Sequence, residues 1–124
     1  MRRPLVVLAL VLAVVGLFVG GLAWLLDTPS PRPGAPRAAR LYHGFCATCH
    51  GVEGHGSWRA VLFLIRPGDL GDGTRMRQHS DQYLFDIIQH GGANFGRPGM
   101  PAFGYHVSDE EIRELVAYVR QLAR

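Results

Sequence analysis

Residues Phe45-Cys46-Ala47-Thr48-Cys49-His50-Gly51 hold the only two cysteines of this 124-residue chain. Two thiols separated by two residues and followed at once by an imidazole form the C-x-x-C-H pattern of covalent haem attachment. The spacing suits that chemistry. On a turn of helix an i, i+3 pair points the same way, so Cys46 and Cys49 can each add to one vinyl group of a porphyrin. His50 is then placed to turn under the ring and offer a nitrogen to iron as the proximal ligand. Other uses fit less well. A thioredoxin-like pair wants a preceding strand and a βαβ context. Structural zinc wants four ligands. A disulfide across so short a loop would be strained and would leave His50 without a role.

Immediately upstream, Ala38, Leu41, Tyr42 and Phe45 fall at i, i+3, i+4 and i+7, one face of a helix that runs into the motif. Before it, Thr28 to Pro36 carries four prolines in nine residues, which excludes a regular helix or a central strand. As a polyproline II spacer this segment reaches at most about 28 Å; plain disorder is the alternative. In either case the sequence predicts a domain tethered close to a membrane and free to swing. The tether begins in an uncharged run from Leu5 to Leu26, preceded by Arg2 and Arg3. As a helix this run extends about 33 Å, enough to cross a hydrocarbon core. Trp24 sits near its far end, where an aromatic meets the interface. A cleaved signal peptide is the competing reading, although the run exceeds the roughly 7–15 apolar residues usual for one. The division this predicts is an N-terminal transmembrane anchor over residues 1–27, a proline-rich linker over 28–37 and one domain over 38–124.

Downstream of the motif, closely spaced glycines from Gly51 to Gly56 and Gly68 to Gly73 mark chain able to bend around a flat ligand. Between them, Trp58 to Ile65 predicts a short helix with one face against the porphyrin edge. Trp58 and Arg59 read as packing and solvated charge, with a hydrogen bond to a propionate as the alternative. Ser80 to His90 predicts a further helix, capped by Ser80, apolar through Leu84, Ile87 and Ile88, and stopped by Gly91-Gly92. Gly99-Met100-Pro101-Ala102-Phe103 offers a thioether, a soft neutral ligand that raises the potential of haem iron when it stands opposite histidine. A core methionine filling a gap is the alternative for Met100. Met76, His79, His90 and His106 are weaker rivals for the distal position. Ser108 and Glu111 form a capping box before the apolar stripe Ile112, Leu115, Val116, Val119 and Leu122 of a terminal helix.

The stretch Ala39 to Gly51 resembles the amino-terminal helix and haem-binding loop of class I cytochromes c. Met100-Pro101-Ala102-Phe103 resembles the loop that carries that family's distal methionine, and Tyr118 resembles the aromatic that packs against its first helix. Ala38 stands where the family often has a glycine at the helix crossing. The family usually holds the proximal histidine with a proline carbonyl; Pro67 is the only proline in the region and lies rather far along, which leaves that hydrogen bond unassigned. The resemblance covers Ala38 to Arg124. It implies a small all-α domain around one covalently bound haem c, with Cys46 and Cys49 as thioethers and His50 and Met100 as iron ligands. Iron with two protein ligands has no vacancy for substrate, so the implied activity is one-electron transfer by a carrier or an electron-transfer subunit rather than an enzyme. A haem enzyme or gas sensor with a labile distal ligand is the alternative. Implied partners are a membrane redox complex, whether a quinol-oxidising complex, a terminal oxidase or a photosynthetic reaction centre, and a soluble redox protein. Because covalent haem attachment in bacteria takes place outside the cytoplasmic membrane, the resemblance also puts the domain on the outer, periplasmic side of a single-pass chain.

Composition agrees with this reading. All 13 basic residues are arginine, set against 10 acids for a net charge of +3. Without Arg2 and Arg3 and with two propionates, the domain is close to neutral, and the charge implies no nucleic-acid role. A domain of this size has little core of its own, so a buried porphyrin is expected to supply much of its apolar contact.

Overall fold

A computed structural model describes residues 2–27 and 30–124, and every regular element among them is helical. The order is α1 (Arg2–Leu26), α2 (Arg37–Phe45), α3 (Ala47–His50), α4 (Trp58–Leu62), α5 (Gly73–Arg77), α6 (Asp81–His90), a 3-10 turn (Ala93–Phe95) and α7 (Asp109–Leu122). The all-α fold expected from the sequence is therefore the fold observed.

The apolar side chains of α1 stand out from the domain core along nearly its whole length, and the helix is long and apolar enough to cross a membrane. Met1 of the expected anchor and Thr28 and Pro29 of the expected linker lie outside the described residues. The rest of the linker is not fully extended. Ala35 N–H donates to the Arg32 carbonyl at 3.0 Å, closing a turn. The domain then meets the end of α1: the Trp24 and Trp58 rings stack at 5.4 Å, and Arg59 Nε donates to the Leu25 carbonyl at 2.9 Å. A freely swinging tether was expected; here the domain rests against its own N-terminal helix.

The core lies where α2 and α6 pack on α7. The stripe of α7 is buried as its spacing predicts except at Leu122, which is half-buried, and Ile112 and Leu115, with Tyr42 of α2, are the largest side chains wholly removed from solvent. Each such aliphatic side chain contributes about 1.5–3 kcal/mol. Tyr42 and Tyr118 meet at 5.2 Å between ring centroids, so the aromatic crossing joins the first and last helices of the domain. The capping box is complete, with Ser108 Oγ accepting from Glu111 N–H and the Glu111 carboxylate accepting from Ser108 N–H. At the same end of α7, Arg37 at the start of α2 donates to Glu114 at 2.9 Å and pairs with Glu110.

Two short helices differ from the sequence reading. α4 stops at Leu62 instead of continuing to Ile65, because Leu64 turns to φ +56° and Ile65 N–H reaches back to the Ala60 carbonyl at 2.9 Å. Pro67 also disfavours helix at Arg66. Trp58, Val61 and Leu62 of the expected apolar face are exposed, and the residue α4 buries is Ala60. Conversely, α5 forms in a stretch that reads as polar and irregular. The Asp72 side chain accepts from Thr74 N–H at 2.9 Å and Arg75 N–H at 3.2 Å, and Met76 is buried.

Candidate functional site

The motif is held through its backbone. Cys49 and His50 N–H both donate to the Cys46 carbonyl, at 3.2 and 2.8 Å, so the two thiols share one helical turn. The carbonyls that close this turn are taken up from beyond it: Gly56 N–H donates to His50 at 2.7 Å and Ser57 N–H to Cys49 at 3.0 Å. Gly51 makes that reversal possible. Its φ is +75°, and a Cβ there would overlap the Gly56 carbonyl. The buried Tyr42 hydroxyl donates to the Gly51 carbonyl at 2.7 Å and ties the reversal to the helix crossing.

Cys46, Cys49, His50 and Met100 all line one cavity of about 370 Å³, a volume within the range of ~300–1,000 Å³ common to cofactor sites. Its walls are apolar, with Phe45, Ile65, Met76, Leu84, Ile87 and Phe103 among them, while Arg66, Arg75 and Arg97 bring charge to it. Burial pushes the Cys46 thiol up to about 12, with the charge of Cys49 adding to the effect, so it stays protonated at neutral pH.

His50 Nδ1 lies 3.0 Å from the Gly68 carbonyl oxygen. A carbonyl only accepts, so Nδ1 carries the proton and Nε2 keeps its lone pair. Burial holds His50 below the ordinary imidazole range and the nearby Arg97 charge acts the same way, against the opposing pull of the Gly68 bond. The unassigned hydrogen bond thus belongs to Gly68, the residue after Pro67.

Met100 reaches the cavity on a loop seated against Gly91-Gly92. Gly92 N–H donates to the Met100 carbonyl at 2.9 Å, and Phe103 N–H to the Ile88 carbonyl at 2.9 Å. A Cβ on Gly91, whose φ is +79°, would come within 2.9 Å of Ala102 N and 3.0 Å of the Met100 carbonyl. These glycines stop α6, as the sequence predicts, and they also seat the methionine loop, which it does not.

Of the rivals for the distal position, Met76 and His79 line the same cavity, whereas His90 and His106 are exposed and outside it. The His79 ring stacks on Tyr83 at 4.4 Å. Trp58 and Arg59 do not reach the cavity; the arginines that do were not singled out by sequence. Arg120 was missed as well. From α7 it donates to the Met76 carbonyl and, at 2.6 Å, to the His79 carbonyl, and it pairs with Asp81 at 2.7 Å, fixing the end of α5. Local sequence carries no signal for this, because its partners lie about forty residues away.

Residues 33–119 match the family described as cytochrome c oxidase, cbb3-type, subunit III. The chain belongs to that family. Among its relatives is the cbb3-type cytochrome c oxidase subunit FixP of Azorhizobium caulinodans, 29% identical over 94 residues. That match covers 76% of this chain and 29% of FixP, so the chain spans less than a third of the relative's length. A solved structure, the KustC0563 c-type cytochrome, superposes with a TM-score of 0.60 at 26% identity, covering 70% of this chain and 98% of that one. The cbb3 subunit III family and this neighbour bear out the class I c-type cytochrome resemblance, and membership implies haem c. The residues fit that group: paired thiols on one turn, an imidazole with a free lone pair, a thioether, apolar walls for a porphyrin and arginines for its carboxylates.

Proposed function

We propose that this chain is a membrane-anchored carrier of single electrons, holding one haem c through thioethers at Cys46 and Cys49 and through iron ligation by His50 and Met100. The observation that carries the reading is the convergence of these four side chains on one apolar cavity, with the lone pair of His50 Nε2 left to bind a metal. When bound, haem c supplies an iron that alternates between ferric and ferrous states. The Gly68 carbonyl orients the His50 ring and raises its basicity. A thioether from Met100 and the surrounding apolar side chains favour the less charged, reduced form and so a high potential. Arg66, Arg75 and Arg97 provide the cations that porphyrin carboxylates need near an apolar cavity.

The cbb3 relative supports a terminal oxidase complex as the electron-transfer partner, ahead of a quinol-oxidising complex or a photosynthetic reaction centre. In this reading residues 1–27 remain as a single transmembrane anchor in the bacterial cytoplasmic membrane, residues 28–37 link it, and the haem domain over 38–124 lies on the periplasmic side. The stacking of Trp24 on Trp58 supports retention of the anchor, since cleavage would strip a formed contact from the domain. The test is spectroscopic. The native ferric protein is expected to be low-spin with a sulfur-to-iron charge-transfer band. Met100→Ala should lose that band, lower the potential and bind carbon monoxide when reduced. Ready carbon monoxide binding by the unaltered ferrous protein would instead favour a gas sensor or haem enzyme.

A further inference from the structure

The apolar run Val61-Leu62-Phe63-Leu64 is not absorbed by the cavity or the core. Its side chains are 69%, 57%, 63% and 93% exposed, and only Leu64 touches the cavity. Four consecutive exposed apolar residues have no place on a surface that meets only water. Their position says what covers them. The run leaves Trp58, which stacks on Trp24 near the end of α1, and Arg59, which donates to the Leu25 carbonyl and lies over the Trp58 ring at 5.0 Å. At about 1.5 Å per residue, α4 keeps Val61 and Leu62 within ~6 Å of Trp58 along its axis. The exposed Arg66 closes the run on its other side.

We propose that Trp58 to Arg66 is a second membrane contact, seated in the headgroup and upper acyl region of the leaflet from which α1 emerges. The proposal rests on the reading of α1 as a retained anchor. Paired tryptophans suit the depth at which a membrane helix ends. Arg59 satisfies carbonyls at the C-terminus of α1, which have no further helical partner. A redox partner protein is the other class of occupant for an apolar patch, but continuity with the end of α1 favours lipid. The consequence is a domain that presents a fixed face to the bilayer, with Leu64 joining that face to the cavity wall.

The full-length holoprotein in nanodiscs of phosphatidylethanolamine and phosphatidylglycerol, doped with a diazirine-bearing phospholipid, provides the test. After irradiation, mass mapping should find lipid adducts on the segment 60–66 as well as on α1. The triple variant V61S/L62S/F63S should lose most of the 60–66 adducts while keeping those on α1 and the native visible spectrum. Adducts confined to α1 would overturn the proposal and leave the anchor intact. Their absence from α1 too would show that the anchor reading itself had failed and the proposal with it. An unlabelled 60–66 segment, together with slower electron delivery by the triple variant to purified oxidase, would assign the patch to a protein partner instead.

Discussion

The crossing of α2, α6 and α7 and the wall formed by residues 51–79 are built on different principles. At the crossing, Tyr42, Ile112 and Leu115 bury one another completely, and two helix caps plus the Arg37 cluster hold the ends. Its own side chains and caps account for it. In the wall, two helices of five residues are joined by glycine-bent chain, and the ties are mostly hydrogen bonds to backbone carbonyls, such as those of His50, Gly54 and Gly68. Leu64, Ile65, Leu70 and Met76 there face a cavity. One part of the molecule makes its own core, and the other is shaped to close on something else.

Removing what the wall closes on should have the largest effect. The double variant C46A/C49A is expected to lose all covalently held haem, read as absence of haem stain and of the added mass after denaturation, and to lose its cooperative thermal transition. A melt close to that of the holoprotein would mean the wall packs unaided and would erase the contrast. Next, Leu115→Ala at the crossing should cost about 2–5 kcal/mol, seen as a lower melting temperature with an unchanged charge-transfer band. Gly91→Ala should do the reverse. Its added Cβ pushes on the methionine loop, so the band should weaken strongly for a stability loss of about 1–3 kcal/mol. If both variants moved spectrum and melt together, the two regions would be one cooperative unit.

The smallest effect is expected from acid. Backbone and side-chain bonds from Ser108 first, and then the charge of Arg37, hold the Glu111 carboxyl below its usual range, and the hydrogen bond from Arg37 does the same for Glu114. Depressed carboxyl values mean that this stabilisation is present above the unfolded value of 4.5 and fades as pH falls through the lower folded values. Both groups are exposed, so the effect should be modest. Melting temperature of the holoprotein followed below about pH 4.5 should show a decline that Arg37→Ala makes shallower.

Much of the crossing was legible because helical periodicity and capping are local. Ser80, Ser108 and Glu111 announce helix starts, and the stripe of α7 names its buried face before any partner is known. The proposed haem-binding set was legible for a related reason, since the C-x-x-C-H spacing of Cys46, Cys49 and His50 is local. Less could be read where the partner is distant. Arg120 bonding the carbonyls of Met76 and His79, Gly91 bearing on the Met100 loop, and Gly68 accepting from His50 all join segments remote in the chain. The short helix around Met76 and the early end of α4 went unread because a few residues between prolines and glycines carry too little periodicity to outweigh tertiary contacts.

By itself, then, the sequence determined the helical class, the order of the long helices and the local motifs that carry Cys46, Cys49, His50 and Met100, because each depends on neighbours within a turn or two. Only the tertiary structure decided that those four line one cavity, which carbonyl orients His50, which arginines stand beside it and that Trp58 and Arg59 meet the end of α1. Those outcomes depend on which distant segments come together when the core closes, and chain spacing does not encode that in any local pattern.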